Sequence, residues 1–235
     1  YLGRRIKPNT GGYGKYRGGC GYETLRMVWG AKDWTMYFMG NGYMVSDCGL
    51  MGGYPAAAGY RFEAHGTDLK ERFEKRLPFP QGGDPDPDDP SYEKNLKARV
   101  IKRDKQAITT EAIFENYDLY VNYLRGGPGF GDPLERRPEL IEADLNGGYL
   151  LPRFAEKVYG AVFTWDEKGT YHVDAAKTEE RRRQIRQERL RRGRPVKEWM
   201  AEERQRILAK EASVQVRHMY AGSFALSPKF LAEFR

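Results

Sequence analysis

The chain has 235 residues, 40% of them hydrophobic and 13% aromatic, with 40 Lys and Arg against 33 Asp and Glu for a formal charge of +7. That is enough for one large domain, or one domain with an extension, around a real core. No segment approaches the roughly 20 consecutive apolar residues of a membrane span, and the two cysteines, Cys20 and Cys48, form no CxxC pair. Such sparse cysteine excludes a disulfide scaffold and leads us to expect a reducing, cytoplasmic setting.

The chain opens on Tyr1, Leu2, Gly3, Arg4 and Arg5, an unusual start that suggests the carboxyl-terminal part of a longer subunit. Residues 1–66 carry 15 of the 27 glycines and half of the 16 tyrosines. Short β-rich runs between glycine clusters predict strands over Thr24–Trp29, Trp34–Met39 and Tyr43–Ser46, joined by tight turns. Residues 65–105 are strongly charged and include the Pro- and Asp-rich run Gln81–Pro90, which predicts an exposed loop or insertion packed against a partner. Strand character returns over Ala112–Leu124 and stops at the glycine run Gly126–Gly131.

Helical signals follow. Pro138 and Pro152 suit the first turns of helices over Pro138–Leu145 and Pro152–Tyr159, where the missing N–H is unpaired anyway. Ala161–Trp165 and Thr170–Val173 flank a turn over Asp166–Gly169 and predict a hairpin. Asp174 caps a long helix that ends near Gly193, with Pro195 beyond it. A second helix, about Val196–Ala212, gathers Val196, Trp199, Met200, Ile207 and Leu208 near one face. The tail holds Phe230, Leu231 and Phe234 and is expected to pack on another surface.

The candidate chemistry is thin. Residues 11–19, GGYGKYRGG, offer backbone donors with Lys15 and Arg17, as an anion site would. They lack the Gly-Lys-Ser/Thr ending of a phosphate loop and the strand–GxGxxG–helix context of a dinucleotide site. Glycines serving positive φ and close backbone approach are the plainer reading. Gly126–Gly131 has no lysine and is followed by Asp132, which repels phosphate, so a tight strand-to-helix turn is expected there. Gly49–Gly59 reads as a loop lying close to another backbone.

His65, His172 and His218 are far apart, and none sits in an HxH, HxxxH or HxxE pair. Cys20 and Cys48 lack a neighbour that would create a thiolate, and Asp47 is a lone carboxylate. The arginine-rich run Arg181–Arg192 is interleaved with glutamates, as a partner-facing helix would be, and has no aromatic stacking pattern for RNA. The positive charge is concentrated there: residues 174–212 hold 13 Lys and Arg against 8 Asp and Glu. That placement suits a helical arm and not a nucleic-acid groove.

The order of the motifs says more than any one of them. Residues 8–21, PNTGGYGKYRGGCG, resemble the PxSGGxGxxRGGxG signature of the hydantoinase B/oxoprolinase family. The loop GLMGGYPAAAG over residues 49–59 comes next. Residues 126–140, GGPGFGDPLERRPEL, resemble the family's GGGGxGDPxxRxPxxV element, and Phe154–Val162 resembles its closing helix and YGV strand. The charged insertion at about 66–108 and the tail beyond the usual end are similar to one branch, the acetone carboxylase alpha subunits.

That resemblance implies an α+β fold: a β-rich, glycine-punctuated body, then small helices, a hairpin and an extended helical arm. It implies residues 1–173 as the carboxyl-terminal part of a hydantoinase B-like domain and 174–235 as a helical extension for subunit contacts. It further implies a ligase that uses ATP on a hydantoinase A-like beta subunit, with a small gamma subunit, in a heterohexamer. Manganese would sit in an earlier part of alpha, bicarbonate and a ketone would be the substrates, and neither membrane nor nucleic acid would be a partner. No catalytic, cofactor or metal residue is carried onto this segment. An ATP-dependent hydantoinase or 5-oxoprolinase part, or an acetophenone carboxylase-like ligase, is the alternative.

Overall fold

A computed structural model describes residues 1–39, 47–79, 96–104 and 109–234. The expected strand over Tyr43–Ser46 and the run Gln81–Pro90 lie outside the described residues. The rest is a mixed α and β structure, as the sequence implies. Its two compact units are Tyr1–Arg182 and Arg183–Arg235.

The first unit is built on an antiparallel sheet in the order β1-β2-β7-β4-β5, formed by β1 (Gly3–Ile6), β2 (Tyr22–Met27), β4 (Tyr60–Thr67), β5 (Ala98–Asp104) and β7 (Leu119–Tyr123). Residues directly opposite one another in an antiparallel pair share a face, so the register explains the core. Leu25 pairs with Val121, which pairs with Phe62, and Leu119 pairs with Ala64. These five side chains, with Leu69, Leu96 and Tyr123, form one buried apolar cluster.

The opposite face carries Thr24, Arg61, Glu63 and Tyr120, all buried, together with His65. A two-stranded ribbon, β3 (Asp33–Met39) with β6 (Thr109–Glu115), meets this polar face through Met36 and Phe114, which pack with Val28 and Tyr120. The sheet is therefore mainly apolar on one side, where Glu23 is a buried exception paired with Arg5 and Lys7, and polar on the other, and the polar side is also withdrawn from water. Burial of this kind is tolerated only where the polar groups pair with one another.

Two expectations are corrected. Ala112–Leu124 is not one strand: β6 and β7 belong to different sheets, separated by a turn at Asn116–Asp118 in which Tyr117 has φ 69°. The Asp118 carboxylate accepts from the Glu115 amide at 2.9 Å and closes that turn. Residues 66–79 and 96–104 are also more regular than a charged loop. Helix α1 (Leu69–Glu74) buries Leu69, and β5 adds to the sheet beside β4. Charge misled here because an edge strand exposes side chains, and charged residues guard such an edge.

After a short 3₁₀ turn at Pro133–Glu135 come α2 (Pro138–Asn146), α3 (Pro152–Tyr159) and the hairpin β8 (Phe163–Trp165) with β9 (Tyr171–Val173). They surround a second apolar cluster of Ile141, Leu145, Leu150, Ala155, Tyr159 and Ala161. Helix α4 (Ala175–Arg192) ends one residue before Gly193, close to the predicted point.

The second unit holds α5 (Val196–Leu208), α6 (Val214–Leu226) and α7 (Pro228–Phe234). The tail is helical. Phe230 and Phe234 meet Tyr220 and Phe224 in the same unit, with ring centroids 5.0–6.5 Å apart. Among the described residues no helix is long and apolar enough to cross a membrane.

Candidate functional site

The glycine segments meet one another. Gly12 N donates to Gly127 O at 2.8 Å, Gly127 N to Gly19 O at 2.9 Å, and Tyr54 N to Tyr13 O at 2.7 Å. Gly129 N donates to Tyr54 O at 3.0 Å, and Gly131 N to Leu50 O at 2.9 Å. Tyr16 and Phe130 exchange two backbone bonds, and Phe130 also bridges Leu50. Residues 10–21, 49–57 and 126–131 thus form a three-segment junction in which main chain lies on main chain.

Side chains would prevent this. A Cβ on Gly18 would stand 1.9 Å from Gly127 O, and one on Gly129 would stand 2.1 Å from Tyr13 O. The expectation of close approach is correct. The expectation of positive φ is not met in residues 11–19, and of Gly126–Gly131 only Gly131 has it, at 76°. Nor is Gly126–Gly131 a tight turn: it is a bonded segment of the junction, and Asp132 only then starts the 3₁₀ turn by accepting from Leu134 N.

The junction's two cations are engaged. Lys15 Nζ lies 3.2 Å from Glu135. Arg17 binds Asp144 in bidentate fashion, with Nε and Nη2 donating to the two carboxylate oxygens at 2.8 Å each. Arg136 Nη2 donates to Asp144 Oδ2 at 2.7 Å, and its Nη1 donates to Lys15 O at 3.2 Å. Arg182 then donates to Arg136 O at 2.8 Å and Tyr159 O at 2.9 Å. One buried carboxylate on α2 therefore joins the junction to the 3₁₀ turn, α3 and α4. The Asp144 hydrogen bonds also hold the Arg17 guanidinium above its ordinary value.

Aromatic rings complete the contact. Tyr13 stacks on Phe154 at 5.8 Å and meets Tyr159 edge-on at 5.8 Å. Burial raises both phenols: Tyr159 is pushed up to about 12, with Arg136 partly opposing, and Tyr13 rises further, from its burial first and then from charge repulsion with Tyr159.

The other sequence candidates are not brought together. Cys20 and Cys48 are free thiols, and Cys20 Sγ lies 3.8 Å from Tyr149 O. Asp47 pairs with Arg125 at 3.0 Å. His172 lies 3.6 Å from Asp166 in the hairpin, and His218 lines a cavity of about 460 Å³ in the second unit. His65 lies on β4 between Glu63 and Asp118. Among the described residues no group of three or more His, Cys, Asp and Glu side chains is placed to hold a metal ion.

Sequence reasoning missed Asp144, Arg136 and Arg182. The only signal was Asp144 on the inner face of a predicted helix, where a carboxylate needs a partner. Nothing local named Arg17 as that partner.

The family profile of hydantoinase B/oxoprolinase matches residues 1–133, a span that holds all three segments of the junction. The chain belongs to the hydantoinase B/oxoprolinase family. The acetone carboxylase alpha subunit of Xanthobacter autotrophicus (strain ATCC BAA-1158 / Py2) is 60% identical over 235 residues, all of this chain and 30% of its own length. A nucleotide-free structure of acetone carboxylase is 59% identical, with a TM-score of 0.84, over all of this chain and 31% of that chain. The chain therefore spans about a third of the relatives it matches.

Two outcomes follow from the geometry. Asp144→Ala leaves Arg17 and Arg136 facing each other without an anion and should cost about 3–5 kcal/mol in denaturant unfolding. Lys15→Ala, which breaks a solvent-exposed pair, should cost less than about 1 kcal/mol. The raised Tyr159 gives a pH dependence of definite sign. Below pH 10 the phenol is neutral in both folded and unfolded chains. Above it the unfolded chain ionises first, so stability is lost as pH rises from 10.0 towards about 12, by about 1.4 kcal/mol per pH unit. Unfolding midpoints at pH 9–11 should fall more steeply for the wild type than for Tyr159→Phe.

Proposed function

We propose that this chain is part of the alpha subunit of an ATP-dependent acetone carboxylase, a ligase that joins acetone and bicarbonate into acetoacetate. The observation that carries this reading is the 60% identity across all 235 residues. The family profile ends at residue 133, yet the similarity continues through α2–α4, the hairpin and the second unit. Those later elements favour the carboxylase branch over a hydantoinase or 5-oxoprolinase, which shares the profiled part.

In this reading the segment is scaffold, cavity wall and subunit interface, and it acts only within the assembly. ATP is handled by a hydantoinase A-like beta subunit, and a small gamma subunit completes a cytoplasmic heterohexamer. In this reading manganese is held by an earlier part of alpha; among the described residues no group of side chains is placed to hold it. When bound, such a metal would stabilise an enolate and orient the carboxylating species. This chain's own contribution is positional. The junction and the Arg17–Asp144–Arg136 contact fix the β-rich body against α2 and α3, so walls built on either keep their spacing. Misplacement by about 1 Å can cost about 100-fold in rate.

The test uses the assembled enzyme with acetone, ATP and ¹³C-bicarbonate. Labelled acetoacetate that depends on ATP supports the proposal. Hydrolysis of a hydantoin or of 5-oxoproline without labelled acetoacetate overturns it. Within the carboxylase, Arg17→Ala should cut acetoacetate formation by about 10- to 100-fold while ATP hydrolysis by the beta subunit persists. Loss of hydrolysis itself would contradict a positional role.

A further inference from the structure

The second unit, Arg183–Arg235, does not bury its own apolar surface. Phe234 is the only large apolar side chain buried among its described residues, while Trp199, Met200, Val214, Met219 and Leu226 stand 46–89% exposed. Units of about 60 residues or fewer are marginal without further contacts. Exposed apolar side chains gathered in so short a unit mark an interaction site.

Residues of α5, α6 and α7 line a hollow of about 460 Å³. Ile207, Leu208, Phe224 and Leu231 form its apolar wall, and Lys210, Arg217 and His218 also face it, with no acidic side chain among the lining residues. Elsewhere in the unit Arg194 pairs with Glu202 and Arg206 with Glu203. Lys210 and Arg217 are exposed and have no ion-pair partner among the described residues. Lys210 lies just past α5 with φ 61°, a left-handed conformation that usually falls to glycine or asparagine. Turn chemistry therefore does not account for a lysine there.

Charge says what kind of partner fits. The chain holds 40 Lys and Arg against 33 Asp and Glu, and residues 183–235 hold 13 of the former and 6 of the latter, which leaves 27 of each in residues 1–182. The whole net charge thus sits on this unit. Surface charge of one sign speeds and orients the encounter of separate molecules, which a contact within one polypeptide does not need.

We propose that an acidic segment of another subunit docks here, setting a large apolar side chain into the hollow while its carboxylates pair with Lys210 and Arg217. The proposal rests on the reading that this chain works within a multi-subunit enzyme, and it names the chemistry of one contact in that assembly. An apolar anchor in a pocket with a polar surround is how protein interfaces concentrate binding energy. A lipid surface fits less well. A helix lying on a membrane keeps its cations on the face opposite its apolar residues, whereas here both line one concavity.

Zero-length carbodiimide crosslinking of the native assembly, read by mass spectrometry, tests this on the unaltered protein, because it joins Lys210 Nζ to a carboxylate in contact with it. Lys210 should be found joined to an Asp or Glu of a different polypeptide, and less so as salt rises. The double variant Lys210→Glu, Arg217→Glu should raise the dissociation constant of the assembly by about tenfold or more. Its helical circular dichroism should match the wild type, since both side chains are exposed and unpaired. A Lys210 that couples only within its own polypeptide or not at all, or a double variant that assembles like the wild type, would overturn the proposal, as would capture by phosphatidylserine vesicles in place of a subunit. Labelled acetoacetate from an assembly that lacks the crosslink would sink the docking site alone; a crosslinked assembly that forms none would sink the catalytic reading alone.

Discussion

The first unit depends on a contact made without side chains. Residues 10–21, 49–57 and 126–131 come from three distant parts of the chain, and their main chains lie within hydrogen-bonding distance of one another. Backbone donors and acceptors that are buried must be paired, and here segments outside the strands pair them. Contact this close has a steric condition. The positions where the segments cross must lack a Cβ, which is why the glycines fall at Gly12, Gly18, Gly53 and Gly129 and not at random along the loops.

Once the junction is formed, its outward side chains fall into place. Arg17 leaves the first segment and reaches Asp144 on α2, while Tyr13 enters the aromatic group with Phe154 and Tyr159. The two lysine and arginine side chains that make the glycine run look like an anion site are used internally. A motif that pairs glycines with cations is read as phosphate-binding only when those cations are free to meet a ligand. In this chain they hold protein to protein, which agrees with the scaffold role proposed above.

The legibility of the sequence followed the range of the interactions. Helices α3 and α4 and the hairpin were readable because their signals are local: Pro152 at a first turn, Asp174 before a helix, a Gly-containing turn between Trp165 and Tyr171. The break at Asn116–Asp118 was missed although Glu115, Asn116 and Asp118 interrupt the apolar pattern; Asn and Asp are turn residues, but the apolar residues on either side read as one strand. β5 was missed because its charges suit an edge strand as well as a loop. Asp144 with Arg17, and Asp118 with His65, were invisible for a different reason. Each pair joins residues 127 or 53 positions apart, and no spacing rule connects them. The family resemblance located the glycine segments but gave no reason for them; the packing of main chain on main chain does.

The most direct test of that account is the thermal unfolding of two neighbouring variants. Gly18→Ala would place a Cβ 1.9 Å from Gly127 O, whereas a Cβ on Gly19 meets nothing within 4 Å. Gly18→Ala should lose about 4 kcal/mol or more, a drop in Tm of roughly 8–16 °C for a chain of this size, and Gly19→Ala should melt with the wild type. Equal melting temperatures for the two variants would contradict it.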